Sequence, residues 1–282
     1  MRAHPGRYDN FDYDNDYDND NDNDATSIPY KDLFNLLVNR SFALLKPRRS
    51  APMSTAVPTV KRTAVYVYEA PLRAWHWTNA LSITILAVTG YLIANPLPTL
   101  SGAASDHYLM GYLRFAHFAA AYVFAVGFIF RLYWALVGNR WSRQLFALPF
   151  WRRRFWSELW HEVRWYAFLE PEPRKYIGHN PLAHLFMVVI ITVGGIVMIF
   201  TGFALYSEQA GLGSWQDRWF GWVIPFVGQS QDVRMWHHWG MWVISIFVML
   251  HVYTAIREDI LSRQSLISTM ISGWRMFKDD RP

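Results

Sequence analysis

Imidazoles stand in this sequence where polar groups are least welcome. Of ten histidines in 282 residues, His76, His117, His237, His238 and His251 lie inside long apolar runs, and His184 stands at the start of another. Imidazole is a common metal ligand and an axial ligand of haem iron. Ionisable groups placed within a membrane are costly and as a rule functional. One such histidine is readily explained as a hydrogen-bonded packing residue, but several at matching depths call for a shared ligand. The chain has no cysteine, which excludes disulfides, thiolate-held iron–sulfur clusters and the covalent c-type haem that needs a CxxCH site. Any redox centre here must be held by other ligands, and histidine is the obvious candidate.

The elements that carry these residues are apolar helices. Hydrophobic residues make up 52% of the chain, aromatic residues 17%, and there are 15 tryptophans. Four segments are long and apolar enough to cross a hydrocarbon core of about 30 Å: Arg73 to Ala94, Tyr112 to Val137, Leu182 to Tyr206 and Met235 to Ile256. Trp75, Trp77, Trp134, Trp236, Trp239 and Trp242 crowd their ends as interfacial anchors do. The fold class expected is therefore an all-α integral membrane protein, a four-transmembrane-helix bundle.

Arg140, Arg143, Arg152, Arg153, Arg154, Arg164, Arg174 and Lys175 fall between the second and third segments, whereas Asn95 to Gly111 has no Lys or Arg at all. By the positive-inside rule the middle loop and both termini are expected in the cytoplasm. The net charge of +5 thus reports topology, and no nucleic-acid binding is expected. Residues 1–60, with Asp9 to Asp24 almost wholly Asp, Asn and Tyr, read as a disordered low-complexity extension. Met53 is a candidate start, ahead of a membrane domain over 61–282.

Depth and azimuth sort the histidines. With helix one entering from the cytoplasm, His76 lies near the cytoplasmic end and His117, on helix two, near the outer end. Helix four enters from outside, so His237 and His238 sit at the outer level and His251 toward the cytoplasm. Residues 14 apart return to within about 40° of one helix face and stand about 21 Å apart, as His237 and His251 do. His238 points about 140° away from His251 by the same arithmetic. His237 is therefore taken as the outer ligand and His238 as its alternative or a propionate contact. The expected pairs, His117 with His237 and His76 with His251, suit two six-coordinate haem b groups slotted between helices. Gly90, 14 residues after His76, would lie at the depth of the outer haem, and His184, Gly195 and Gly202 share one face of an ideal third helix. These glycines serve haem clearance or close helix packing. Arg131 fits either a propionate partner or a snorkelling anchor, and His184 either a quinone-site residue or a helix-start hydrogen-bonding group.

The runs VYEAPLRAWHWTN (Val67 to Asn79), HNPLAH (His179 to His184) and HVYTAIREDILSRQSLISTMISGW (His251 to Trp274) closely resemble the b-type cytochrome subunit of membrane-bound nickel-iron hydrogenases. The likeness runs from about Tyr66 to the carboxyl end and leaves out the Asp/Asn-rich beginning. It implies a bacterial inner-membrane, multi-pass subunit without catalysis of its own. Such a subunit anchors the hydrogenase small and large subunits at the outer face and passes electrons from their iron–sulfur clusters through two haems to menaquinone or ubiquinone. Related formate dehydrogenase cytochromes carry two haems on four histidines that map onto His76, His117, His237 and His251. The resemblance also implies a docking surface in Ser207 to Arg234, with Trp215, Trp219 and Trp222. Rival readings are a cytochrome of a formate dehydrogenase or thiosulfate reductase complex, a haem-free membrane anchor, and a membrane di-iron enzyme.

Overall fold

The computed structural model describes residues 62–98, 107–262 and 264–278, so the extension expected over 1–60 lies outside the described residues. In chain order the elements are β1 (Arg62–Tyr66), α1 (Ala70–Ala94), α2 (Leu109–Val137), a 3-10 turn (Arg140–Leu145), α3 (Arg153–Tyr166), α4 (Pro181–Ala210), α5 (Trp215–Phe220), α6 (Val223–Val227), α7 (Ser230–Leu261), α8 (Leu266–Ser272) and β2 (Trp274–Lys278). The four long helices α1, α2, α4 and α7 contain 25, 29, 30 and 32 residues. Even the shortest spans about 37 Å at 1.5 Å per residue, enough to cross a bilayer. Each helix reaches past the span expected from hydropathy, because hydropathy marks only the lipid-matched stretch. In α7 the extra turns carry Asp232 and Arg234 at one end and Arg257 and Glu258 at the other.

The bundle is arranged for lipid. Large apolar side chains such as Phe115, Val126, Ile129 and Leu136 on α2 and Met249 and Leu250 on α7 point outward, while Ser82, Thr89, Thr192 and Thr201 are buried between helices. Small and hydroxylated residues allow close helix approach where the solvent offers no hydrophobic drive. Packing is most extensive between α1 and α2 and between α4 and α7, and α1–α7 and α2–α4 contacts close the bundle.

Helix α4 departs from ideal form. Asn180 caps it by accepting from Ala183 N at 2.7 Å, Pro181 opens it, and Met187–Val193 forms a π turn. A π turn inserts extra residues per turn and rotates everything beyond it. The expectation that His184 shares a face with Gly195 and Gly202 is therefore corrected, whereas the two glycines, both on regular α-helix beyond the turn, keep a common face at different depths. His184 faces Phe155 of α3 with ring centroids 6.5 Å apart. Gly195 abuts Phe124 and Phe128 of α2, and Gly202 abuts His237 of α7.

At one end of the bundle a cap joins the start of α1, the end of α7 and the long basic connection. β1 and β2 pair antiparallel, with Tyr66 opposite Trp274, and Val67 N donates to Gly273 O at 2.9 Å. Val67, Tyr68, Leu72 and Trp141 form its core. Glu69 accepts from Trp134 Nε1 and Asn139 N, both at 3.0 Å, and Asn139 Nδ2 donates to Val67 O at 2.9 Å. Arg257 lies over Trp165, Tyr166 and Phe168 and pairs with Glu258 at 3.1 Å, while Trp165 Nε1 donates to Glu258 at 2.7 Å. Buried Arg275 donates to Tyr176 O and Gly178 O at 2.7 and 2.8 Å. The start of α1, the end of α7 and the basic connection thus lie at one end of the bundle.

Glu162 of α3 is 2% exposed. Its Oε1 makes no hydrogen bond and stands 3.6 Å from His161 Nδ1. Burial pushes its carboxyl pKa from 4.5 to about 7, against the opposing pull of Tyr176, with Glu258 adding to the rise. The folded state therefore holds this proton more tightly than the unfolded state. Its stabilising contribution is complete below pH 4.5, declines as pH rises toward about 7, and is gone above. Glu162→Gln is expected to melt close to the wild type at pH 4 and progressively higher than it up to about pH 7. The ceiling is on the order of 3 kcal/mol, at about 1.4 kcal/mol per unit. Thermal unfolding in detergent across this range checks the prediction, and a gap that does not grow with pH would refute it.

Candidate functional site

Between the helices, toward the end away from the cap, lies a cavity of about 730 Å³. His117 from α2 and His237 from α7 both line it, together with Gly90, Gly202, Met241, Arg114 and His238. Each of the two imidazoles rests in a socket made by a neighbouring helix. On α1, Thr89 Oγ1 is 2.9 Å from His117 Nδ1, and a Cβ on Gly90 would meet His117 Cε1 at 3.2 Å. On α4, Thr201 Oγ1 is 2.8 Å from His237 Nδ1, and a Cβ on Gly202 would meet His237 Cε1 at 3.1 Å. The glycines line the cavity and, more directly, make room for the imidazole edges. Neither threonine is singled out by composition or spacing alone. The signal that could have found them is the Thr–Gly dipeptide repeated at Thr89–Gly90 and Thr201–Gly202.

His238 is placed differently from His237. It also lines the cavity, but its Nε2 accepts from Trp242 Nε1 at 3.1 Å, one turn along the same helix. That nitrogen's lone pair is already used.

The second pair stands nearer the cap. His76 and His251 face each other across α1 and α7 with ring centroids 6.4 Å apart, and Phe247 stacks on the His251 ring at 5.8 Å. Arg131 is only 3% exposed, so the snorkelling reading is corrected. Its Nη2 donates to Ser142 O at 2.5 Å, and its guanidinium lies 5.4 Å from both the Trp75 and Phe146 rings. It ties the 3-10 turn to α1 through that one backbone bond and the Trp75 contact, while its Nε and Nη1 are buried without a hydrogen-bond partner. His184 is packed against α3 and does not line the cavity. His179, a loop residue in the sequence, meets Gln144 Oε1 at 3.0 Å and the Tyr68 hydroxyl at 3.3 Å within the cap.

The sequence model of the prokaryotic cytochrome b561 family matches residues 67–273. The chain belongs to this family. The matched region of the cytochrome b561 fold begins and ends at Val67 and Gly273, the two residues joined by the backbone hydrogen bond that closes the cap. The chain is 67% identical over 222 residues to the "Probable Ni/Fe-hydrogenase B-type cytochrome subunit" of Azotobacter chroococcum mcd 1, covering 79% of this chain and 92% of that one. It is 59% identical to the protein of the same name from Cupriavidus necator, covering 77% and 88%. It is 48% identical to the "Probable Ni/Fe-hydrogenase 1 B-type cytochrome subunit" of Escherichia coli K12, covering 76% and 91%.

A membrane cytochrome b of the b561 family binds haem b, and the imidazole pairs fit that group. The cavity volume falls within the roughly 300–1,000 Å³ usual for cofactor sites. Two metal–imidazole bonds of about 2 Å, plus roughly 1.2 Å from each nitrogen to its ring centre, call for centroids about 6.4 Å apart. The His76–His251 pair has that separation.

Proposed function

We propose that this chain is the di-haem membrane subunit of a nickel-iron hydrogenase, carrying electrons from the hydrogenase's iron–sulfur clusters to menaquinone or ubiquinone. The observation that carries the reading is the pairing of four histidines at two levels of one bundle, with α7 contributing to both. His117 and His237 are the ligands of the outer haem, and His76 and His251 those of the inner one. The hydrogenase small and large subunits are assigned as partners because the similar proteins are named hydrogenase cytochrome subunits at 48% to 67% identity.

Haem held by two imidazoles supplies a one-electron iron couple with no open coordination position, which favours electron transfer over oxygen chemistry. The protein's part is geometric. His237 and His251, 14 residues apart on α7, fix the two centres about 21 Å apart along the helix axis, and the apolar bundle keeps water out. In this reading the cap and its basic loop are cytoplasmic, both termini lie on that side of the bacterial inner membrane, and quinone is reduced near the inner pair. The exposed Trp219 and Phe226 of α5 and α6 belong to the outer surface where the hydrogenase docks. Among the described residues no group of three or more His, Asp or Glu side chains is placed to hold a bare metal ion, which weighs against the di-iron alternative.

A reduced-minus-oxidised spectrum with haem quantification on the purified chain tests this reading, with about two b haems per chain expected for the two imidazole pairs. In membranes that also contain the hydrogenase, hydrogen should reduce both. A haem-free chain, or haem that hydrogen leaves oxidised, would overturn the proposal.

A further inference from the structure

The two threonines of the sockets make the same pair of contacts. Thr89 Oγ1 lies 2.6 Å from Ile85 O and 2.9 Å from His117 Nδ1. Thr201 Oγ1 lies 2.7 Å from Val197 O and 2.8 Å from His237 Nδ1. A hydroxyl has one proton to give and lone pairs to accept with. The carbonyl four residues back can only accept, so it takes the hydroxyl proton, and the threonine oxygen is left to accept from the imidazole. Nδ1 of each histidine must then carry the ring proton, which leaves Nε2 deprotonated with its lone pair free for a metal. The glycine after each threonine admits the Cε1 edge of the same ring, so socket and tautomer are set by adjacent residues.

The inner pair lacks this device. His76 Nδ1 is buried without a hydrogen-bond partner, and among the described residues no side-chain hydroxyl is bonded to the ring of His76 or His251.

We infer that Thr89 and Thr201 are positioning residues for the outer haem, holding both of its ligands as Nδ1–H tautomers and, through those hydrogen bonds, lowering its reduction potential relative to the inner haem. The inference rests on the ligand assignment proposed above. A hydrogen bond accepted from the ligand's distal N–H raises ligand basicity, and a more basic ligand favours the ferric state. With the outer centre poised lower, one electron passes inward downhill: the outer iron is oxidised, the inner iron is reduced, and no proton is consumed. Hydroxyls placed at only one of two otherwise similar centres thus set the direction of the wire.

The test is potentiometry of the purified full-length chain, resolving both haems, in Thr89→Val, Thr201→Val and the matching Thr→Ser variants. Valine keeps the shape and removes the hydroxyl; serine keeps the hydroxyl. Both valine variants should raise the outer midpoint and leave the inner one unchanged, and both serine variants should track the wild type. Electron–nuclear double resonance should show an altered exchangeable Nδ1 proton coupling in the valine variants alone. An outer midpoint unmoved by valine, or moved equally by serine, overturns the inference. If a valine variant loses the outer haem, retention by its serine counterpart supports the inference and loss there overturns it. Failure of the ligand assignment itself reads differently, because His117→Ala would then keep both haems.

Discussion

His76→Ala is expected to lower the haem content of the purified chain from about two to about one, with the remaining spectrum that of the outer centre. Without cysteine the macrocycle has no covalent tether to the chain, so its two axial bonds and the slot between helices are what retain it. In the proposed assignment those bonds come, at the inner level, from His76 on α1 and His251 on α7, whose ring centroids are 6.4 Å apart. Removing the α1 ligand leaves His251 alone, opens the slot beside it, and exposes an unpartnered side of the site to lipid. The outer pair should be indifferent, since it lies about 20 Å away along α7 and draws its second ligand from α2. His238→Ala is the matched control. That imidazole accepts from Trp242 within its own helix and should keep both haems. A His76→Ala protein with two full haems would remove the inner ligand assignment.

The four long helices were legible from hydropathy, and the proximity of His76 to His251 and of His117 to His237 follows from a helical periodicity that the structure respects. Helix α7 is continuous α-helix from Ser230 to Leu261, so 14-residue arithmetic applies along it, and its His237 and His238 meet different partners, Thr201 and Trp242. The same arithmetic fails on α4 because Met187–Val193 is a π turn, and nothing in MVVIITV distinguishes that turn from ordinary helix. Thr89 and Thr201 were illegible for another reason. Threonine in an apolar helix commonly bonds back to its own i−4 carbonyl, so its second lone pair becomes informative only once a neighbouring helix supplies the imidazole. The two strands of the cap are each five residues long and pair Tyr66 with Trp274, a separation over which no local pattern reports. Snorkelling stood as one alternative for Arg131 because its sequence position, at the end of a membrane helix, is also where arginines snorkel. What decides its burial is the Ser142 carbonyl brought back by the 3-10 turn.

Gly202→Val is expected to remove the outer haem and spare the inner one, the converse of His76→Ala. A Cβ at Gly202 would sit 3.1 Å from His237 Cε1, and at Gly90 the corresponding distance to His117 is 3.2 Å. Alanine at either position asks the ring to yield by a few tenths of an ångström, so Gly202→Ala should keep the haem with an altered spectrum. Valine adds two methyl groups on a side chain confined to one helical rotamer, and the imidazole has to leave its place. Overpacking of this kind costs about 1–3 kcal/mol. Here the effect on the cofactor should be larger than the effect on the fold, because the displaced ring also loses Thr201 Oγ1 at 2.8 Å and its alignment with His117 across the cavity. Gly111→Ala separates this from a general intolerance of side chains on these helices, since nothing lies within 4 Å of a Cβ there. That variant should retain both haems with unchanged spectra and melt no lower than the wild type, because alanine is the better helix former. Equal haem in Gly202→Val and wild type would mean that His237 is free to move without losing its ligand role. The close glycine contact would then serve helix packing alone.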